Sequence, residues 1–231
     1  PPGISCKGKM IMQFKVKENL SRIQEEIAPY RPNIIAVTKY FDEEAIEAAY
    51  QAGLRNFGES RVAEAIEKIA RLPQQVRENS TFHFIGHLQS NKVKKAVEHF
   101  DLIQSVDSLK LAQAISGSAK ALQKVQKILL QLNNANEVQK FGFSKEELFE
   151  AFPELLKLEN LEVAGLMSMA PLGADEETLK TLFTDVAETK KQLEEKYNCK
   201  MNELSMGMSQ DYAIAARCGA TMLRIGRKLF S

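Results

Sequence analysis

Ile34-Ile35-Ala36-Val37-Thr38-Lys39 is a run of four apolar residues, three of them β-branched, that closes on a lysine. Such a run reads as a strand buried on both faces of a parallel sheet. Asp42-Glu43-Glu44 then opens a helical pattern that stops at Gly53. A lysine at the carboxyl end of such a strand stands where α/β proteins place their chemistry. Its apolar neighbours predict a poorly solvated amine with a lowered pKa. A partly neutral lysine is the nucleophile that forms Schiff bases with aldehydes. The competing reading is a strand-end lysine whose head simply reaches water.

Outward from this segment the pattern repeats. A first helix is predicted over 15–28, ended by Pro29 and Pro32. Strands are predicted at 34–39, 54–58, 82–87, 102–106, 127–132, 163–169, 203–205 and 222–225. Helices fall between them, at 59–71, 91–100, 109–122, 144–158, 175–196 and 210–217. Val62, Ile66 and Ile69 share one face of the pattern at 59–71. Ser144-Lys145-Glu146-Glu147 is a capping box, and Gly219 is a C-cap signal. Eight strands separated by helices predict an α/β protein, a single (β/α)8 TIM barrel over residues 10–231. An open doubly wound sheet shares the alternation, but no Gly-x-Gly-x-x-Gly follows the first strand. Residues 1–9 are expected to be a disordered extension or vector remnant, with a natural start near Met10 or Met12. Loops are expected to be short, and no second domain is expected after the last strand.

The chain has 231 residues, 44% hydrophobic, and carries 31 Lys+Arg against 30 Asp+Glu, so no global field favours nucleic acid or an anionic membrane. No stretch approaches the roughly 20 apolar residues of a membrane span. Cys6, Cys199 and Cys218 are odd in number and widely spaced, which predicts a reducing cytoplasm and neither a disulfide framework nor a zinc site.

Three further constellations carry chemistry. Ser205-Met206-Gly207-Met208-Ser209-Gln210-Asp211 joins the seventh strand to a short helix. Gly207 lets the backbone approach a ligand, Ser205 and Ser209 supply hydroxyls, and Ser209 is a plausible N-cap facing an anion. An ordinary capped turn is the plainer alternative. Arg224-Ile225-Gly226-Arg227 puts a second glycine after strand eight. In barrels the loops after strands seven and eight form a recurrent phosphate site. Lys39 is next to them around a closed barrel, so the expected cofactor is both phosphate and aldehyde, namely pyridoxal 5′-phosphate. Arg224 shares a strand face with Gly226 and could reach the pyridine nitrogen, or serve in a structural ion pair. The last cluster is His83-Phe84-Ile85-Gly86-His87-Leu88-Gln89-Ser90-Asn91-Lys92. On a strand, histidines four apart span about 13 Å, so one metal cannot take both. No metal site is expected. Lys92, Lys94 and Lys95 read as a solvated helix face.

Taken together, IIAVTK, Phe57-Gly58-Glu59, HFIGHLQSNK, Lys140-Phe141-Gly142, GLMSM from Gly165, SMGMSQD and RIGRKLF from Arg224 resemble the YggS/PROSC family of pyridoxal phosphate homeostasis proteins. The resemblance covers nearly the whole chain. It implies a barrel like the N-terminal domain of alanine racemase (fold-type III) without that enzyme's C-terminal β domain. It implies Lys39 as the Schiff-base lysine, Ser205, Gly207 and Gly226 near the phosphate, and Arg224 at the pyridine nitrogen. The family's Gly-Glu-Asn is Gly58-Glu59-Ser60 here, and Ser231 stands where a final glycine is common.

The expected function is a pyridoxal phosphate carrier or regulator in cofactor homeostasis, with effects on amino-acid and keto-acid balance and without strong turnover. No catalytic residue is assigned. The alternative is a fold-type III amino-acid racemase, which needs an acid or base on each face of the bound substrate. Tyr30, Tyr40, Tyr50, Tyr197 and Tyr212 occupy no recognisable position for the second. Apo pyridoxal phosphate enzymes or a regulatory protein are the expected partners, and a monomer is the expected state.

Overall fold

The computed structural model describes residues 3–138 and 141–231. Eight strands form one closed parallel barrel: β1 (Asn33–Val37), β2 (Asn56–Glu59), β3 (Thr81–Phe84), β4 (Leu102–Val106), β5 (Gln126–Gln131), β6 (Leu161–Met167), β7 (Glu203–Ser205) and β8 (Met222–Ile225). The helices are α1 (Cys6–Ile27), α2 (Glu43–Gln51), α3 (Val62–Ala70), α4 (Gln74–Glu78), α5 (Val93–His99), α6 (Leu109–Ala121), α7 (Lys145–Leu156), α8 (Glu176–Tyr197), α9 (Tyr212–Arg217) and α10 (Arg227–Phe230), with a 3-10 turn at Ser90–Lys92. β1 pairs with both β2 and β8, which closes the barrel and excludes the open sheet.

The outer core lies between sheet and helices. In α7, Ser144 Oγ accepts the Glu147 N–H at 3.1 Å, as its sequence predicts, and Leu148, Phe152 and Leu155 face inward. Inside the barrel, Ile35, Leu102, Leu129, Ala164, Met167 and Met222 form a separate apolar plug. Two residues further along their strands, toward the carboxyl ends, Gln104 and Arg224 replace Leu102 and Met222.

Three expectations change. Residues 6–9 are helical rather than disordered, because Ser5 caps α1 by accepting the Gly8 N–H at 3.1 Å. A five-residue helix, α4, stands where a loop was expected. The β5–α7 connection, 132–144, is long rather than short. It folds back on β5, with Phe143 N–H donating to Gln131 O and Asn133 N–H to Phe143 O, both at 2.8 Å.

Candidate functional site

Lys39 sits two residues past β1, in a turn closed by the Phe41 N–H donating to Thr38 O at 3.0 Å. Its side chain is partly exposed, with Nζ 5.1 Å from the Tyr40 ring centre. It lines a cavity of about 520 Å³ at the carboxyl end of the barrel, together with Ser60, His87, Gln89, Gln131, Asn133 and Phe141. Ile85, Leu132 and Met169 line it too, so apolar side chains as well as hydroxyl, imidazole and amide groups surround the lysine. A larger hollow of about 680 Å³ lies at the opposite end, between the last turns of α1 and Ile34. It holds none of the candidate cofactor-binding residues.

The loops after β7 and β8 meet beside β1. Ser209 Oγ accepts the Lys228 N–H at 3.4 Å, which joins the two loops. A Cβ placed on Gly226 would stand 3.4 Å from Val37, two residues before Lys39. The glycine-bearing loops and the lysine are therefore neighbours around the closed barrel. One role read from sequence needs correction, and two residues have structural settings of their own. Ser209 does not cap the short helix; Asp211 is the N-cap of α9, and its carboxylate accepts the Met208 N–H at 2.7 Å. Gly207 has a structural reason of its own: φ is +104°, and a Cβ there would lie 2.6 Å from Ala215 and 2.9 Å from Leu223. The Ser205 hydroxyl points into the barrel. The residue is fully buried, and its hydroxyl donates to Gln104 Oε1 and accepts from Arg224 Nη1, both at 2.6 Å.

Arg224 is part of that interior layer. Its guanidinium is buried and also donates to Ser168 O at 2.7 Å. Burial lowers its pKa to about 10, with the Asp211 carboxylate working against the shift, so it stays charged near neutrality. Burial in turn raises Asp211 above the usual carboxylate range, opposed by the Met208 N–H and by Arg224. The chain of contacts runs on from Ser205 through Gln104 to His83. Gln104 Nε2 donates to His83 Nδ1 at 3.0 Å, and His83 Nε2 lies 2.9 Å from Asn56 Oδ1. Burial, aided by Lys127, pushes the His83 pKa down to about 3. The neutral ring with its proton on Nε2 satisfies both neighbours. His83 is thus a member of this layer, while His87 lines the cavity, with Nδ1 3.8 Å from Asp107. The His87 ring stacks on Phe141 at 3.8 Å between centres. Of the Lys140-Phe141-Gly142 motif, Lys140 lies outside the described residues.

Sequence reading missed Glu59 and Lys68 as site residues. Lys68 Nζ donates to Glu59 Oε1 and Oε2 at 2.9 and 3.0 Å, and to Thr38 O at 2.9 Å. The available signal was spacing: Lys68 lies on the same inward face of α3 as Val62 and Ala65. A stripe drawn through Ile66 and Ile69 passes it by. His87 was seen only as half of a rejected metal pair.

A lysine in a cavity of this size, next to two joined glycine-bearing loops, fits a phosphorylated aldehyde. Comparison with known proteins points the same way. The model of the family described as alanine racemase, N-terminal domain, matches residues 11–231. The pyridoxal phosphate homeostasis protein of Synechocystis is 41% identical over 208 residues, 89% of this chain and 94% of that one. The protein of that name from Aquifex aeolicus is 36% identical over 92% of this chain and 96% of its own. Among solved structures, PipY of Synechococcus elongatus with PLP bound superposes with a TM-score of 0.84 at 38% identity, over 94% of this chain and 100% of that one. An alanine racemase of Clostridium difficile shares the fold at 18% identity, with a TM-score of 0.76 over 94% of this chain and 56% of that one.

Proposed function

The chain belongs to the YggS/PROSC family of pyridoxal phosphate homeostasis proteins, and from that premise we propose which of its residues hold the cofactor and what it does with it. The protein binds pyridoxal 5′-phosphate and acts in its homeostasis. Lys39 holds the aldehyde carbon covalently. The backbone of the joined loops at Gly207, Ser209 and Gly226 holds the phosphate. The single observation that carries this assignment is Lys39 lining the cavity on the strand beside those loops. Bound there, the cofactor supplies an aldehyde for amines and a conjugated ring that withdraws electrons. Arg224 anchors the barrel layer beneath and presents a cation, not a carboxylate, to any ring nitrogen that approaches it. The Ser205 hydroxyl is assigned to that layer and not to the phosphate.

Borohydride reduction followed by peptide mapping tests the assignment. The expected outcome is a cofactor label on the peptide containing Lys39. Lys39→Ala should lose the visible absorption of lysine-linked cofactor while keeping weaker binding through the phosphate. A label on another lysine, with Lys39 unmodified, overturns it.

The role extends to delivery or buffering of the cofactor without rapid turnover of amino acids, in keeping with what the relatives are named for. Apo pyridoxal phosphate enzymes or a regulatory protein are the partners this reading calls for. The protein acts as a monomer. A cytoplasmic setting suits the three free cysteines, and no described helix is long and apolar enough to cross a membrane. One observation favours a second reading, an amino-acid racemase. His87 shares the cavity with Lys39, so an imidazole lines the same space in which a second base would be needed.

A further inference from the structure

Thr38, the residue before the cavity lysine, has every polar group fastened. Its N–H donates to Gly58 O of β2 at 3.1 Å. Its carbonyl accepts twice, from the Phe41 N–H that closes the turn carrying Lys39 and from Lys68 Nζ of α3. Its hydroxyl donates to the Glu59 carboxylate, which also takes both remaining Lys68 bonds. Thr38 is 0% exposed, Glu59 2% and Lys68 5%, so the cluster is dry. Desolvating a carboxylate and an ammonium is costly, and apolar side chains of similar volume commonly hold a core as well or better. Packing alone therefore gives no reason for an ion pair here. The pair does one thing apolar groups cannot: it holds both the carbonyl and the hydroxyl of the residue from which Lys39 departs.

We propose that Glu59 and Lys68, acting through Thr38, are positioning residues for Lys39. They fix the 38–41 turn so that the lysine leaves the sheet into the cavity in one orientation, and so set how completely it captures an aldehyde. The inference rests on the reading of Lys39 as the cofactor lysine. Capture joins the amine nitrogen to the aldehyde carbon, and the aldehyde oxygen leaves as water with both protons of the neutral amine. Neither Glu59 nor Lys68 takes part in that step. Their effect is on where the amine stands before it, and misplacing a reacting group by about 1 Å is enough to cost up to a hundredfold.

Thr38→Val is the decisive variant, because it keeps the shape and removes only the hydroxyl. Thr38→Ser restores the hydroxyl, and Lys68→Met removes the cation. All are compared with the unaltered protein by thermal unfolding, by cofactor titration of the visible band with borohydride trapping, and by amide exchange of the cofactor-free protein. Thr38→Val is expected to fold, to exchange its 39–41 amides faster than the unaltered protein, and to need about tenfold more cofactor for the same trapping at Lys39. Thr38→Ser should return both readouts toward the starting values. Unchanged exchange and unchanged capture at Lys39 in folded Thr38→Val overturn the positioning role alone, as does a loss that Thr38→Ser fails to restore. Lys68→Met that folds and captures as before overturns it too. If the unaltered protein is labelled at a lysine other than Lys39, the cofactor assignment itself falls and takes this inference with it.

Discussion

A histidine locked between two amides makes stability depend on pH in a definite direction. His83 is 1% exposed, and its folded pKa of about 3 lies below its ordinary value of 6.5. Between those values the unfolded chain binds a proton that the folded chain refuses. The contribution of His83 is therefore fully present above pH 6.5 and is lost as pH falls toward 3, at about 1.4 kcal/mol per pH unit. Urea unfolding at a series of pH values should show that slope in the unaltered protein and a shallower one in His83→Gln. An equal slope in both would place the acid sensitivity elsewhere. Lys39 and His83 stood out as residues, but where their side chains go was not legible. His83, Ser205 and Arg224 face one another because their strands present the same layer to the barrel interior, and that depends on register between strands far apart in the chain. Ser205 therefore looked like a loop hydroxyl. Lys68 was hidden for the opposite reason: a charged residue on an amphipathic helix is ordinarily solvated, and only the carboxylate brought by β2 makes this one an inward residue.

At the scale of elements, the turn from β7 to α9 shows how a glycine that suits a ligand contact can also be demanded by packing. Gly207 combines a left-handed φ with a backbone pressed against α9, while its carbonyl accepts the Arg224 N–H at 2.9 Å. Strain of about 1–3 kcal/mol for a side chain at such a φ adds to about 1–3 kcal/mol of overpacking. Gly207→Val should therefore lower the melting temperature of the cofactor-free protein, by at least about 2 kcal/mol of stability, before any cofactor is added. Calorimetry of the apo protein measures this; a full-stability variant that only binds the cofactor poorly would return Gly207 to a pure ligand role. All eight strands were legible, some as short apolar runs and others, such as β2 (NFGE) and β7 (ELS), only from their place in the alternation with helices. The ends of five strands shift by one to three residues, as for 82–87 against Thr81–Phe84, while those at 102–106, 203–205 and 222–225 fall where expected. α4 and the folded 132–144 connection were not legible. Five residues hold too little periodicity, and the connection is shaped by pairing with β5, which no local pattern encodes.

For the molecule as a whole, the barrel alternates an apolar plug, a polar layer and an open cavity, and the division of function follows it. The plug and helices supply stability, and the polar layer holds Arg224 as a buried cation. The cavity holds Lys39 at the end of a single closed sheet, which is why fold and cofactor were both legible from the order of motifs along the chain. The question of turnover was not legible, because it turns on a group contributed by the loop after β3. His87 sits in the cavity with Lys39, but Phe141 covers its ring, and its nearest nitrogen to Asp107 is 3.8 Å away, longer than a working hydrogen bond. An imidazole held by stacking alone, with no carboxylate among the described residues hydrogen-bonded to Nδ1, lacks the partner that would orient it as a base. A cation at the ring nitrogen would in addition leave the cofactor a weak electron sink. The expected outcome is little solvent-deuterium exchange at Cα across a panel of L- and D-amino acids, with Lys39→Ala and His87→Gln as controls. Exchange near the usual enzyme median of about 10 s⁻¹, dependent on both Lys39 and His87 and accompanied by racemisation, would establish the enzyme and displace the carrier. Exchange that depends on Lys39 alone and stays far slower than this would leave the lysine acting only as the cofactor's tether.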